Sequence, residues 1–221
     1  MDKSFGQSDD RVARWARAVY DPEDPVLREI RTRSTAAGLP EIQVGPLDGL
    51  HLEVLARASG ARRAVEIGTL GGYSGVCILR GLGAEGVLHT FELDEHHAEV
   101  ARESFRLAGV GERAHVHVGP ALERLSDVVA EGPFDLVFID ADKVSYPAYL
   151  AWSAENLRVG GVVLGDNAFL FGEVVEESPR DERAAAVTAM RAFHDTLAHG
   201  GRFRATVLPT GEGLALGVKL K

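Results

Sequence analysis

Two carboxylates and one amide directly follow apolar runs that have the composition of buried β-strands. Asp140 comes after LVFI, and Asp166 and Asn167 come after GGVVLG. A carboxylate in such a position is costly to bury without a partner. If the two strands are neighbours, the three side chains offer the hard oxygen ligands that Mg²⁺, Ca²⁺ or Mn²⁺ prefer. We therefore predict a metal site; the alternative is that each acid caps a helix or forms a local salt bridge.

Lys143 lies three residues after Asp140 and is a candidate general base. A neighbouring cation and burial both lower the pKa of an amine toward the range in which it accepts protons near neutral pH. We expect Lys143 and Asp140 to be the catalytic residues. The alternative for Lys143 is an ordinary exposed surface lysine.

A glycine-rich run, VEIGTLGGYS, covers residues 65–74 and is typical of a cofactor-binding loop. Glycine permits positive φ and close backbone approach, and the loop leads into a predicted helix N-terminus; the alternative is a simple tight turn. Glu92 ends the next predicted strand, where an acid can bind both hydroxyls of a ribose or favour the following helix by its charge. Loop and acid together predict a cofactor that contains a nucleoside.

The elements that must position these residues alternate between short β-rich runs and helical stretches. The β-rich runs are 61–68, 86–93, 113–119, 134–140 and 160–166, the helices are 73–82, 95–108, 121–131, 145–157 and 181–198, and two final strands surround Gly211-Glu212-Gly213. This alternation predicts a doubly wound, mostly parallel, seven-stranded α/β sheet with a C-terminal antiparallel hairpin. Ligands of such sheets bind beyond the carboxyl ends of the strands.

The residues before 60 are expected to be helical, with a loop at 38–46. Val12, Trp15 and Val19 recur at helical spacing, and Pro25 suits the first turn of a second helix. Trp15 is expected to cover the acceptor site or to pack against a second subunit. We predict one domain over 1–221, in which 1–45 form the acceptor and dimer region and 46–221 form the cofactor-binding core.

Composition excludes several classes of protein. With 24 Lys and Arg against 33 Asp and Glu, the net charge is −9, so nucleic acid is not an expected partner. Cys77 is the only cysteine, which excludes an intramolecular disulfide and a cysteine-based zinc site. The sequence lacks an apolar run of about 18 residues and an N-terminal secretion signal. We expect a cytoplasmic protein that does not bind membranes.

Taken in order, VEIGTLGGYS, Glu92, FDLVFIDADK and GGVVLGDN resemble the metal-dependent class I O-methyltransferases that use S-adenosylmethionine. This group contains catechol and caffeoyl-CoA O-methyltransferases and small bacterial relatives. The resemblance covers residues 38–221 and implies a Rossmann-like methyltransferase fold and a homodimer.

The resemblance also implies residue roles. Val44 and the loop 66–74 would contact the methionine part of the cofactor, Glu92 the ribose, and the backbone of Ala121 the adenine. Asp140 would face the amino group of the cofactor as well as the metal. The cofactor residues implied in this way are Val44, Glu66, Gly68, Thr69, Gly72, Ser74, Glu92, Ala121 and Asp140. Asp140, Asp166 and Asn167 would bind the metal, and Lys143 would deprotonate the acceptor hydroxyl.

The implied acceptor is a small phenol with two adjacent hydroxyls, because the acidic chain shows no basic cluster for the phosphates of a CoA ester. Relatives often have a tryptophan shortly after the Asp-Asn pair, where this chain has Phe169 and Phe171. Three alternatives stay open. They are an NAD(P)-dependent oxidoreductase, which the missing G-x-G-x-x-G disfavours, a phosphatase built on Asp140 and Asp142, and an inactive S-adenosylmethionine-binding relative.

Overall fold

The computed structural model describes residues 10–20 and 22–221 of the chain. The helices are α1 (Asp10–Tyr20), α2 (Pro25–Ala36), α3 (Pro46–Ala58), α4 (Tyr73–Gly81), α5 (Glu95–Leu107), α6 (Ala121–Arg124), α7 (Tyr146–Asn156) and α8 (Asp181–His199). The strands are β1 (Arg63–Ile67), β2 (Val87–Glu92), β3 (Ala114–Val118), β4 (Phe134–Ile139), β5 (Leu157–Gly165), β6 (Phe203–Leu208) and β7 (Leu214–Lys219). Short 3₁₀ turns complete the connections.

The seven strands form one sheet in the order β3-β2-β1-β4-β5-β7-β6. Strands β1 to β5 are parallel, and β7 joins the edge of β5 in the antiparallel direction and pairs with β6. The predicted fold class is therefore confirmed. The strand order reverses between β1 and β4, which is the position where sheets of this type bind ligands.

Two apolar cores cover the two faces of the sheet. Leu136 and Phe138 of β4 belong to the core formed with α2 to α5. Val137 and Ile139 belong to the core formed with α7 and α8. Because consecutive side chains of β4 are buried on opposite faces, its last four residues, 136–139, form a continuous apolar run, as expected for a parallel strand covered on both sides. The first polar side chain after such a strand lies at the edge of the sheet.

Two elements differ from their predicted ranges by more than two residues. The stretch predicted as one helix over 121–131 is helical only to Arg124 and then continues as a 3₁₀ turn, with Leu125 and Val128 buried three residues apart. Strand β5 begins at Leu157 rather than at 160, because Leu157 is buried and pairs with Phe134 before the register shifts.

The predicted apolar face of α1 is present and exposed to solvent. Val12, Trp15 and Val19 are all exposed, Trp15 to 62%. In the part of the chain that the structure describes, no helix is long and apolar enough to cross a membrane.

Candidate active site

A cavity of about 810 Å³ lies at the carboxyl ends of β1, β2, β4 and β5. Ten of the predicted site residues line it, and they come from six separate segments of the chain. They are Val44, Gly68, Thr69, Ser74, Glu92, Ala121, Asp140, Lys143, Asp166 and Asn167. Glu66 and Gly72 are not part of the lining, and both lie behind the loop that forms it. The structure thus brings the predicted metal residues and most of the predicted cofactor residues to one cavity.

Gly68 joins the two halves of the cavity at the point where the strand order reverses. Its φ is +97°, and a Cβ atom there would lie 2.0 Å from the carbonyl oxygen of Asp140. Any other residue would push the ends of β1 and β4 apart. Gly72 has a different role, since a Cβ there would lie 3.2 Å from the Cα of Ala101 in α5. Gly72 therefore allows close helix packing behind the loop.

Glu92 holds the glycine-rich loop through its carboxylate. The backbone N–H groups of Thr69 and Leu70 donate to Oε2 at 3.2 and 2.7 Å, and the N–H of Asp94 donates to Oε1 at 3.0 Å. The carboxylate is nearly buried at the cavity wall. These three donors come from the chain itself, so the position of Glu92 is fixed by local structure.

Glu66 is completely buried in β1. Ser74 and Thr90 donate hydroxyl hydrogen bonds of 2.6 Å to its two oxygens. Burial raises the pKa of Glu66 to about 8; the two hydroxyl donors oppose the shift, and the charges of Asp140 and Glu92 add to it. Glu66 is therefore a buried group that fixes Ser74, which does line the cavity.

Asp140 and Lys143 form an ion pair at the end of β4. The backbone N–H of Asp140 donates to the carbonyl of Ile67 at 2.8 Å, which fastens this residue to the end of β1. Lys143 Nζ lies 3.2 Å from Asp140 Oδ1 and donates to the hydroxyl of Tyr146 at 2.6 Å. Both charged side chains are largely shielded from solvent but reach the cavity.

Asp166 and Asn167 follow β5, next to Asp140. Asp166 comes directly after Gly165, the partner of Ile139, and its N–H donates to the Ile139 carbonyl at 3.0 Å. Asn167 has a φ of 52°, and its Nδ2 donates to Asp166 Oδ2 at 3.2 Å. Burial and then the charge of Asp140 raise the pKa of Asp166 to about 7. The two carboxylates are therefore close enough to repel each other.

This donor set suits a hard divalent cation. It offers two carboxylates and one amide oxygen, and a cation would balance the charge that Asp140 and Asp166 share. Within the described ranges, no three His, Cys, Asp or Glu side chains form a metal-binding group. A cation at this position would thus need the amide of Asn167, with water or an acceptor to complete the coordination.

Several residues of the site were not predicted from the sequence. Tyr146 lies under Lys143 and is completely buried, and burial raises its pKa well above the usual range. Asp48 of α3 lines the cavity, and its charge contributes to the raised pKa of Asp166. Because Asp48 comes from a helix almost 120 positions before Asp166 in the sequence, only the fold brings them together. Tyr146 carried no distinguishing signal in the sequence, where it reads as an ordinary aromatic residue of α7.

The loop after Asn167 lines the mouth of the cavity and is fastened by the final hairpin. Phe171 has a φ of 56° and is 64% exposed to solvent. Its N–H donates to Glu212 Oε2 at 3.1 Å, and the N–H of Phe169 donates to the Glu212 carbonyl at 2.9 Å. Glu212 therefore holds an aromatic side chain at the cavity edge in a backbone conformation that is unusual outside glycine.

The sequence model of a family described as O-methyltransferase matches residues 16–220. The chain belongs to the O-methyltransferase family. The match covers all the cavity residues described above, so the geometry of the site is that of a family member rather than of an unrelated doubly wound protein. The predicted resemblance, and the enzyme class that it implied, are therefore confirmed.

Curated relatives and solved structures agree with this assignment. The O-methyltransferase is 45% identical to a catechol O-methyltransferase of Mycobacterium tuberculosis, over 81% of this chain and 80% of that protein. It is 36% identical to a catechol O-methyltransferase of Niastella koreensis, over 84% of each. Its structure superimposes on an O-methyltransferase of Bacillus cereus in complex with SAH with a TM-score of 0.87 and 37% identity, over 95% of this chain and 97% of that one.

Proposed function

We propose that this O-methyltransferase transfers the methyl group of S-adenosylmethionine to one hydroxyl of a catechol-like phenol, with the help of a divalent cation. The observation that carries the proposal is the convergence of Asp140, Lys143, Asp166 and Asn167 on one wall of the cavity that the glycine-rich loop also lines. The glycine-rich loop meets the end of β4 at Gly68, so a cofactor bound on the loop would lie against these four residues.

For the cofactor, the proposal rests on Glu92, on the loop and on the solved relative in complex with SAH. Glu92 would accept hydrogen bonds from the ribose hydroxyls, and Val44, Gly68, Thr69 and Ser74 would enclose the methionine part. Ala121 would lie near the adenine. Glu66 and Gly72 would act from behind the lining, through Ser74 and through the packing of α4 against α5.

For the metal, the proposal rests on the donor set of Asp140, Asp166 and Asn167. A divalent cation held there supplies Lewis acidity, which lowers the pKa of an acceptor hydroxyl and orients two adjacent hydroxyls. Mg²⁺ is the expected ion, with Ca²⁺ and Mn²⁺ as alternatives of similar ligand preference.

The chain's own residues would provide the base and the alignment. In its neutral form, Lys143 Nζ accepts the proton of the acceptor hydroxyl. The acceptor oxygen then attacks the methyl carbon: the C–O bond forms as the C–S bond breaks, leaving S-adenosylhomocysteine and the methyl ether. Lys143 later releases its proton to water. The opposite charges of the sulfonium and the phenolate disappear as these groups react. A position shielded from water therefore favours the transfer.

For the acceptor, the proposal rests on the curated relatives named catechol O-methyltransferase and on the charge of the cavity. Among its described lining residues, seven carboxylates face two Arg or Lys side chains, Arg31 and Lys143. A polyanionic CoA ester would be repelled by such a lining. A small phenol without an anionic tail suits it better, and Phe171 offers an aromatic surface at the entrance.

The N-terminal residues 1–45 are proposed to complete the acceptor site and to form a homodimer, around a cofactor-binding core of residues 46–221. The cavity lining includes Arg31, Ser34 and 40–45, which supports the first role. The exposed apolar face of α1 supports the second; residues 1–9 and 21 lie outside the described residues. Sedimentation equilibrium is expected to show a dimer that Trp15→Ser weakens, and a monomeric wild type at high concentration would contradict this.

A methyl-transfer assay tests the proposed function. Purified protein is incubated with S-adenosylmethionine and catechol, 4-ethylcatechol or 4-ethylphenol, before and after treatment with a chelator and after Mg²⁺ is restored. We expect methylation of the two catechols, loss of that activity with the chelator and recovery with Mg²⁺. Activity that survives the chelator would contradict the metal role, and equal activity on 4-ethylphenol would contradict recognition of the diol.

A further inference from the structure

Tyr146 lies at the first position of α7, and its hydroxyl is in contact with three groups at the ends of β4 and β5. Its Oη is 2.6 Å from Lys143 Nζ and 3.0 Å from each of the carbonyl oxygens of Ile139 and Asp166. The ring packs edge-on against Phe193, with centroids 5.3 Å apart. The side chain is therefore fixed in a completely buried position beneath the lysine.

The hydrogen-bond inventory of this hydroxyl decides what it does for Lys143. A tyrosine hydroxyl has one hydrogen to donate, and carbonyl oxygens can only accept. The hydrogen of Tyr146 is therefore directed to the carbonyl of Ile139 or of Asp166. Toward Lys143 the oxygen is left to accept, so the hydrogen in that contact comes from the amine.

A lysine that acts as a base must be neutral, with two N–H bonds and one lone pair. Asp140 Oδ1 at 3.2 Å and Tyr146 Oη at 2.6 Å are acceptors for both N–H bonds. With both hydrogens engaged by the chain, the lone pair points in the remaining tetrahedral direction. Since Lys143 lines the cavity, the cavity is the space where an acceptor hydroxyl can meet that lone pair.

We propose that Tyr146 is a positioning residue that orients the amine of Lys143 toward the acceptor hydroxyl by accepting one of its two hydrogens. This inference rests on the proposed function, because it assumes that Lys143 is the base. It assigns Tyr146 no contact with the cofactor, the metal or the acceptor. Without the Tyr146 hydroxyl the amine would keep its contact with Asp140 but rotate about it, so the lone pair would face the acceptor for only part of the time.

A double-mutant cycle separates this role from a purely structural one. We compare wild type, Tyr146→Phe, Lys143→Ala and the double variant by kcat, by KM for catechol and by Kd for S-adenosylmethionine. Tyr146→Phe is expected to lower kcat by about 10- to 100-fold, less than the loss of the base itself, while KM and Kd change by less than about 3-fold. In the Lys143→Ala background the same change is expected to alter kcat by less than about 2-fold, because no amine is left to orient.

Ser153→Ala provides the matched control. Ser153 is buried on the same helix and donates to the carbonyl of Tyr149 at 2.7 Å, and it is not part of the cavity lining. Its loss is expected to leave kcat within about 2-fold of wild type. If Tyr146→Phe does not fold, site-specific 4-fluorophenylalanine at position 146 fills the same volume without a hydroxyl and replaces it in the cycle.

The outcomes are distinguishable. An equal fall in kcat in both backgrounds would show that Tyr146 acts through the strand ends rather than through Lys143, and would overturn the inference. A kcat that Tyr146→Phe leaves unchanged would also overturn it. If Lys143→Ala itself keeps the wild-type kcat, the base assignment in the proposed function fails, and the positioning role fails with it.

Discussion

The carboxylates on the two sides of the cavity have very different surroundings. On the side of β1 and β2, Glu92 accepts three backbone N–H groups and Glu66 accepts two hydroxyls. On the side of β4 and β5, Asp166 meets the amide of its neighbour Asn167 and the negative charge of Asp140. The first side is organised by the chain's own donors. The second concentrates negative charge, which under the proposed function a cation would balance.

The difference bears on how each side would respond to mutation. Removing an acid from the first side breaks hydrogen bonds that hold a loop in place, so the effect should fall on cofactor binding and on stability. Removing an acid from the second side takes away a proposed metal ligand, and little of the local structure depends on it.

Asp166→Asn is expected to have the largest effect. It keeps the size of the side chain but removes one of the two proposed anionic ligands, so kcat/KM for catechol should fall on the order of 1,000-fold. The Kd of S-adenosylmethionine, measured by calorimetry, should change by less than about 3-fold. A large loss of cofactor affinity in this variant would contradict the division of cofactor binding and metal binding between the two sides of the cavity.

Glu92→Gln is expected to weaken cofactor binding by about 10- to 100-fold. The carboxylate of Glu92 has two anionic oxygens, whereas the amide of glutamine has one neutral acceptor oxygen. That single oxygen cannot accept from the backbone N–H groups of Thr69 and Leu70 and also from the ribose hydroxyls. The response of activity to Mg²⁺ should stay as in wild type. Glu95→Gln is the control, since Glu95 is exposed three residues later and pairs with Arg102 at 2.9 Å. Equal cofactor affinities of the two variants would contradict the role of Glu92.

The smallest expected effect is that of Glu66 on the pH dependence of stability. Its pKa is raised from 4.5 to about 8 in the folded chain, so the folded state keeps a proton that the unfolded state releases. This contribution to the free energy of unfolding is complete below about pH 4.5, falls as the pH rises, and is lost above about pH 8. Between pH 5 and 8, Tm should fall less for Glu66→Gln than for wild type, by on the order of a few °C. Parallel curves of Tm against pH would contradict a buried, protonated Glu66.

The sequence predicted the strands and the residues at their ends because both follow from local pattern. An apolar run followed by Asp140 or Asp166 indicates a strand end, and parallel strands bring their ends to one edge of the sheet. Which strands are neighbours could not be read from such runs, and the site depends on the adjacency of β4 to both β1 and β5. The sequence therefore predicted the metal site only on the condition that β4 and β5 are neighbours.

The residues that the sequence did not reveal depend on packing between distant elements. Tyr146 reads as an ordinary aromatic residue of α7, and only its contact with the ends of β4 and β5 relates it to Lys143. Glu66 was predicted to contact the cofactor; the structure places it one layer behind the lining, because Thr90 of β2 and Ser74 of α4 enclose it. Its contact with a cofactor stays a prediction.

Titration of Mg²⁺ by calorimetry, in the presence of S-adenosylhomocysteine, measures whether the chain holds a divalent cation and whether Asp166 is one of its ligands. The proteins compared are wild type, Asp166→Asn and Asp142→Asn; the carboxylate of Asp142 already accepts from the backbone of Ser145 and the hydroxyl of Tyr149. We expect one Mg²⁺ site in wild type, an affinity at least about 10-fold lower in Asp166→Asn, and wild-type affinity in Asp142→Asn. Absence of Mg²⁺ binding to wild type, or equal affinity in all three proteins, would contradict the proposed metal site.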